Sequence, residues 1–258
     1  MDLLNLVEHD IGEHEHAYIV PLSDLHEGHP SCNKEKFRGY VSWILARENA
    51  FTVVNGDMMD CVLLHSPGNR YEATMSPDQQ MESVIEELRP LADAGRILLY
   101  GDGNHEERIS RDAGIDVSRI IARELKVTYR RDMGFMVLRL GKGRNGKKIA
   151  YTVAQTHGVG GGRTQGGKAN TLERFGGIGC FDIYLIGHVH NMLPFQRVHF
   201  VPDLQNGGIT EKKQTFVSSG SFQGYNGYAA RKMYAPAKLG SPRIRLSGRG
   251  EKDVHVSI

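Results

Sequence analysis

The sequence predicts an α/β protein in which two sheets pack together with helices outside. Two observations carry that expectation. In the first half, short apolar runs alternate with helical patterns, the order that builds a parallel sheet with crossover helices. In the second half, strand-like runs follow one another with one short helix among them, which suggests more antiparallel pairing.

The first strand is expected at residues 17–23 (AYIVPLS), with Pro21 tolerated near its end. A helix follows from about Asn33, where Phe37, Val41, Ile44 and Leu45 recur at helical spacing and should face the core. Residues 51–55 (FTVVN) are short, apolar and β-branched. The next helix starts at Ser76, with Pro77 in the first position and Gln79 completing a capping box. Met81, Val84, Ile85 and Leu88 form its apolar stripe, Pro90 should kink or end it, and Gly95 is a stop signal. Strand 97–100 (ILLY) comes next, then a helix capped by Asp116 and carrying Val117, Ile120, Ile121 and Leu125. Further strands are expected at 135–140, 148–156, 182–186, 196–201 and 214–218, with a short helix near 170–175. The Asn-Gly pair at Asn145 and Gly146 is a hairpin signal between two of them.

At 258 residues the chain can bury one substantial core. Without a linker, repeat or low-complexity tail, residues 1–258 read as one domain, its motif-bearing core spanning about 17–220 and segment 221–258 packing on the same body. The net charge of +2 argues neither for nor against nucleic acid. Cys32, Cys61 and Cys180 fit no disulfide framework, and free thiols point to a reducing compartment. The first residues lack the basic and apolar regions of a signal peptide, and no apolar stretch approaches the roughly 18 residues of a membrane span. The expectation is a cytoplasmic protein with no membrane partner.

Five segments share one layout, in which an apolar strand ends and ligand-type residues follow at once. They carry Asp24 and His26; Asp57 and Asp60; Asn104, His105 and Glu106; His157; and His188 and His190. Open α/β sheets form their sites beyond the carboxyl ends of strands. Mixed Asp, His and Asn donors suit Mn, Fe or Zn, and without thiolates a closed structural zinc site is disfavoured. Residues two apart at a strand end can converge on one ion, as Asp24 with His26 and His188 with His190 would. The glycines before Asp57, Asn104 and His188 are expected to let the backbone turn sharply there.

The ordered blocks Asp24-Leu25-His26, Gly56-Asp57-Met58-Met59-Asp60, Gly103-Asn104-His105-Glu106, His157-Gly158 and Gly187-His188-Val189-His190 resemble the calcineurin-like metallophosphoesterases. All five stand in the family's order. The run Ser23-Asp24-Leu25-His26 is nearest the branch of DNA repair exonucleases and phosphodiesterases, and the compactness resembles phage or bacterial members. The resemblance implies a four-layer α/β/β/α sandwich and a hydrolase of phosphoesters. It implies two divalent metal ions, Mn before Fe, Zn or Mg. Asp24, His26 and His190 would hold the first, Asn104, His157 and His188 the second, and Asp57 would bridge them. By the same resemblance His105 faces the scissile phosphate and assists the leaving group, while two metals activate a water as the attacking hydroxide. Asp60 and Glu106 are expected to orient histidines.

The expected partner is a phosphoester, with DNA, RNA or nucleotides as the leading classes. A phosphomonoesterase is the alternative, weakened because Cys61 stands where the related Ser/Thr phosphatases carry an arginine, and Val62 where they carry the glycine after it. A metal-binding scaffold without turnover is the other, and it predicts broken motifs.

Other features weigh less. His9, His14 and His16 read as a solvated terminus, and His199 and His255 as ordinary strand residues. His29 and His65 follow ligand loops and could line a cleft. In the glycine-rich segment after His157, Arg163 and Lys168 could meet phosphate oxygens, or could simply be solvated cations on a mobile loop. Phe222, Tyr225, Tyr228, Arg231 and Lys232 could stack bases, against the commoner alternative of rim packing.

Overall fold

The computed structural model describes residues 5–64, 66, 69–160, 162 and 164–258, so the expectations placed on Arg163 and His65 lie outside the described residues. The strands are β1 (Leu6–Asp10), β2 (His16–Leu22), β3 (Ala50–Asn55), β4 (Ile97–Gly101), β5 (Tyr129–Arg130), β6 (Met133–Leu140), β7 (Lys142–Gly143) and β8 (Ile149–Thr156). They continue as β9 (Ile183–Ile186), β10 (Met192–Asp203), β11 (Gly208–Ser219), β12 (Arg243–Ser247), β13 (Arg249–Gly250) and β14 (Val254–Ser257). The helices are α1 (Lys34–Leu45), α2 (Pro77–Asp93), α3 (Asn104–Ala113), α4 (Val117–Glu124), α5 (Gln165–Phe175) and α6 (Gly227–Arg231).

Two mixed six-stranded sheets result. One runs β14-β12-β2-β3-β4-β5 and the other β1-β6-β8-β9-β11-β10. In the first, β2, β3, β4 and β5 are parallel, and β12 adds antiparallel to β2. In the second, β8, β9 and β11 are parallel, while β6 and β10 pair antiparallel with β8 and β11.

The layers follow from which face each strand buries. Ala17, Ile19, Val53 and Leu99 face Met136, Tyr151, Val153 and Leu185 between the sheets. The alternate residues Val20, Leu22, Val54 and Tyr100 point outward onto Phe37 and Ile44 of α1, Leu88 and Leu91 of α2, and Ile121 of α4. On the outer face of the second sheet, Tyr184 and Phe216 stack at 4.6 Å beneath Leu172 and Phe175 of α5. This is the expected four-layer α/β/β/α sandwich. Each fully buried Leu, Val or Phe contributes on the order of 1.5–3 kcal/mol, so the layer order is set mainly by apolar burial.

Four local expectations are corrected. Leu45 is 37% exposed instead of facing the core. Pro90 does not end α2, which continues to Asp93 because Leu88 and Leu91 are both buried against the sheet. The acidic, His-rich start is not simply solvated: Leu6–Asp10 pairs in parallel with β6 as an edge strand. The strands β10 and β11 are each 12 residues, far longer than the apolar core that signals them in the sequence.

Candidate metal centre

The parallel strands β2, β3, β4, β8 and β9 end on one side of the sandwich, and each hands its ligand-type residues to the same place. Asp24 and His26 follow β2, Asp57 and Asp60 follow β3, His157 follows β8, and His188 and His190 follow β9. Asn104 and His105 open α3 directly after β4. The turns are stitched together by backbone bonds. The amide of Asp24 donates to the Gly56 carbonyl at 3.1 Å, that of His26 to the Asp57 carbonyl at 3.1 Å, and that of Gly187 to the His157 carbonyl at 3.0 Å.

Asp24 (φ 53°), His26 (52°), Asp57 (50°), His188 (65°) and His190 (54°) all occupy the left-handed region. Each such residue costs on the order of 1–3 kcal/mol, and strain of this kind persists where surrounding structure holds it for function. The preceding glycines act in two ways. Gly56 takes φ +81°, as a sharp turn requires. At Gly103 and Gly187 close approach is the constraint, because an added Cβ would lie 2.1 Å from the Asp57 amide nitrogen and 2.6 Å from Ser23 Oγ respectively.

All seven residues expected to hold metal come together, but His188 and His190 divide between two groups instead of converging on one ion as their spacing suggests, because alternate residues past β9 turn to different neighbours. The candidate ligand atoms of Asp24, His26 and His190 lie within 4.8 Å of one another, as do those of Asp57, His157 and His188. Asn104 Oδ1 joins the second set, 2.7 Å from His188 Nδ1 and 3.1 Å from His157 Nε2. His26, Asp57 and His105 form a third such group between them. A cation fits these donors. Asp24 Oδ1 and His26 Nδ1 are buried without a hydrogen-bond partner, and Nε2 of His26 faces Nε2 of His190 at 3.2 Å. His157 turns Nδ1 to the Asn55 carbonyl at 2.8 Å, which presents Nε2 to the cluster, the arrangement expected of a metal-binding imidazole.

The electrostatics agree with a crowded, dry site. Burial and neighbouring histidines push His26 down to about 4. Burial also works against a charged His157, but the Asp57 carboxylate 3.1 Å away outweighs it and raises the imidazole to about 10. For His105, burial is likewise outweighed by Asp57 and Asp60, and its pKa is raised. Asp57 is itself held well below the carboxylate range, since His157 and His105 overcome its burial.

The supporting residues divide differently from expectation. Asp60 does lie against histidine rings, 3.6 Å from His26 Nδ1 and 3.5 Å from His105 Nδ1. Glu106 instead accepts from the amides of Asp57 (3.1 Å) and Met59 (2.9 Å), so it holds the Asp57 turn and not a ring. Lys168, on α5, lines the cleft and donates to Asn191 Oδ1 at 2.6 Å. His29 also lines it. Sequence reasoning missed Asn55, whose carbonyl orients His157, and Arg108, which donates to the Asp60 carbonyl at 3.1 Å. Arg108 follows His105 by three residues in α3, so recognising that helix would have placed both on the same side.

No protein-family model and no curated protein sequence matches the chain. Among solved structures it is similar to the calcineurin-like phosphoesterase YfkN from Bacillus subtilis, at 12% identity and a TM-score of 0.44 over 94% of this chain and 90% of that one. It is also similar to a predicted phosphoesterase from Streptococcus pneumoniae TIGR4, at 14% identity and 0.39 over 93% and 88%. A third is the nuclease MPE from Pseudomonas putida, at 13% identity and 0.37 over 93% and 87%. The five ordered motifs are gathered at one edge of a four-layer α/β/β/α sandwich. No helix among the described residues is long and apolar enough to cross a membrane.

Proposed function

We propose that this protein is a phosphodiesterase with a two-metal centre, acting on nucleic acid or nucleotides, with Mn as the first metal to try. The observation that carries the reading is the pair of ligand clusters on either side of Asp57, one built on Asp24, His26 and His190 and the other on Asn104, His157 and His188. Bound divalent ions would neutralise charge on the phosphoryl oxygens and make a water acidic enough to attack at neutral pH.

The chain's own residues supply the rest. Asp57 offers two oxygens to the cluster, and its Oδ1 is fixed by the His105 amide at 2.8 Å. His105 stands in the cleft with its ring held on the Asp60 carbonyl at 2.6 Å, and its raised pKa suits a proton donor to a departing alkoxide. Asp60 sits against the rings of both His26 and His105, so it ties the orientation of one to the other. Diester over monoester is supported by the block that begins Gly56-Asp57, where no arginine follows Asp60 to grip a dianionic phosphate.

The deciding experiment compares bis-p-nitrophenyl phosphate with p-nitrophenyl phosphate on metal-stripped protein supplemented with Mn. Faster diester cleavage that vanishes in Asp57→Ala is the expected result. Faster monoester cleavage would move the reading to a phosphatase. Failure to hydrolyse either, together with firm Mn binding, would favour a scaffold.

A further inference from the structure

The cleft has a wall that the hydrolytic chemistry does not use. Beyond Phe222, residues 223–239 run along the mouth of the cleft, and Tyr225, Arg231 and Tyr234 line it. The start of this segment is fastened to the first ligand loop. The Phe222 amide and Ser221 Oγ both donate to the Asp24 carbonyl at 3.0 Å. The Gly224 amide donates to the Ser31 carbonyl at 2.8 Å, and Asn226 Nδ2 to Ser31 Oγ at 3.2 Å. Asn226 Oδ1 then caps α6 by accepting from the Ala229 amide at 2.9 Å. The beginning of the wall is therefore positioned by the same backbone that positions Asp24.

What it presents is unlike the interior. Phe222 is fully buried, edge-on to Phe37 at 5.1 Å and Tyr40 at 5.4 Å, so packing explains it. Packing does not explain Tyr225, which is 55% exposed inside the cleft. Two tyrosines and Arg231 thus line the same cavity of about 420 Å³ as His105 and Lys168. Aromatic faces beside cations are the chemistry that takes a nucleobase together with its phosphate. A duplex keeps its bases inside the stack, so only an unpaired nucleotide offers such a ring a face.

We propose that residues 223–239 form the subsite for an unpaired nucleoside attached to the scissile phosphate. Its base stacks on Tyr225 or Tyr234, and Arg231 and Lys168 meet anionic oxygens of the phosphate chain. The proposal rests on the phosphodiesterase reading and extends it to the part of the substrate that does not react.

The test uses two diesters with the same leaving group, thymidine 5′-(p-nitrophenyl phosphate) and methyl p-nitrophenyl phosphate. The full chain with Mn should prefer the nucleoside ester in kcat/KM. That preference should fall about 10-fold or more in Tyr225→Ala/Tyr234→Ala, in line with the value of stacking one base. Tyr225→Phe should keep it. Because the readout is a ratio, a folding defect that lowers both rates alike leaves it unchanged. No preference in the parent, or a ratio that stays within twofold in the double variant, overturns the subsite. If the parent hydrolyses neither diester, the phosphodiesterase reading is what fails. Equilibrium binding of thymidine 5′-monophosphate then decides: weaker binding in the double variant supports the subsite, and equal binding overturns it.

Discussion

His157 Nε2 stands 3.1 Å from Asp57 Oδ2, and both groups are almost fully buried. In the metal-free protein this contact is an ion pair, which raises His157 to about 10 from its ordinary 6.5. A histidine raised in this way adds stability that is complete below pH 6.5 and is lost as pH climbs toward 10. Glu106, raised from 4.5 to about 8 by burial and by Asp57, acts in the same sense, because its ionisation is resisted in the folded state. His26, lowered to about 4, has an opposite effect, but that is finished by pH 6.5. The chelator-treated protein should therefore lose stability between pH 6.5 and 8, seen as a falling denaturant midpoint. A midpoint that rises over this interval would refute the buried pairing. Since His157 must release its proton to bind a cation, Mn affinity should rise over the same interval.

Removing the His105 ring separates two roles that the geometry allows. His105 groups with His26 and Asp57 closely enough to be a ligand, yet its ring is held on Asp60 and its pKa is raised as a proton donor requires. His105→Ala should leave Mn stoichiometry unchanged and lower diester turnover roughly 10²- to 10⁴-fold, the usual worth of general acid catalysis. Metal stoichiometry by mass spectrometry or elemental analysis decides the matter. Loss of one equivalent would make His105 a ligand.

Much of the candidate centre was legible because each candidate ligand lies within a few residues of the end of an apolar strand, where sequence pattern and site geometry coincide. Asp24, Asp57 and His188 could be placed without any knowledge of long-range packing. The wall at Tyr225 and Tyr234 could not, since no periodicity marks 223–239 and its position comes from bonds to Ser31 and Asp24, remote in sequence. The edge strand Leu6–Asp10 was hidden by its charges, yet charge is what keeps an exposed sheet edge from pairing with other chains. Pro90 misled in the opposite direction. A penalty of about 3 kcal/mol for proline inside a helix is outweighed where Leu88 and Leu91 are both buried. The sequence suggests that Glu106 orients a histidine, whereas in the fold it sits under the Asp57 turn.

Close approach at Gly103 gives a sharper test than its conformation does. Its φ of −125° suits any residue, but an added Cβ would sit 2.1 Å from the Asp57 amide nitrogen and 2.3 Å from Asp57 Oδ1. Gly103→Ala must push the α3 start away from Asp57, at a cost of about 1–3 kcal/mol and with weakened Mn binding. Gly114, at the other end of the same helix, is the control. It has φ +68° and open space around it, so Gly114→Ala should lose about 1–2 kcal/mol from backbone strain and leave Mn affinity alone. Calorimetric titration of both variants checks this. Equal effects on Mn would mean that the Gly103 contact is not what sets the Asp57 position.

Glu106 offers the most demanding prediction, because one substitution should alter two observables at once. Its two oxygens accept from the amides of Asp57 and Met59, and both bonds are buried. Glutamine keeps the shape but brings only one acceptor, and its NH2 group faces a donor in place of the other. Leaving one buried amide unpaired costs about 1–3 kcal/mol, so Glu106→Gln should be less stable than the parent by that amount. It also removes a titrating group from the interval between 4.5 and about 8, so the fall in stability from pH 6.5 to 8 should become shallower, with the raised histidines His157 and His105 left to carry it. Denaturant curves of the metal-free variant at both pH values report the offset and the slope together. A variant that matches the parent in both would release Glu106 from holding the Asp57 turn, whereas a lower offset with an unchanged slope would leave the hydrogen bonds in place and make the carboxylate ionised already at pH 6.5.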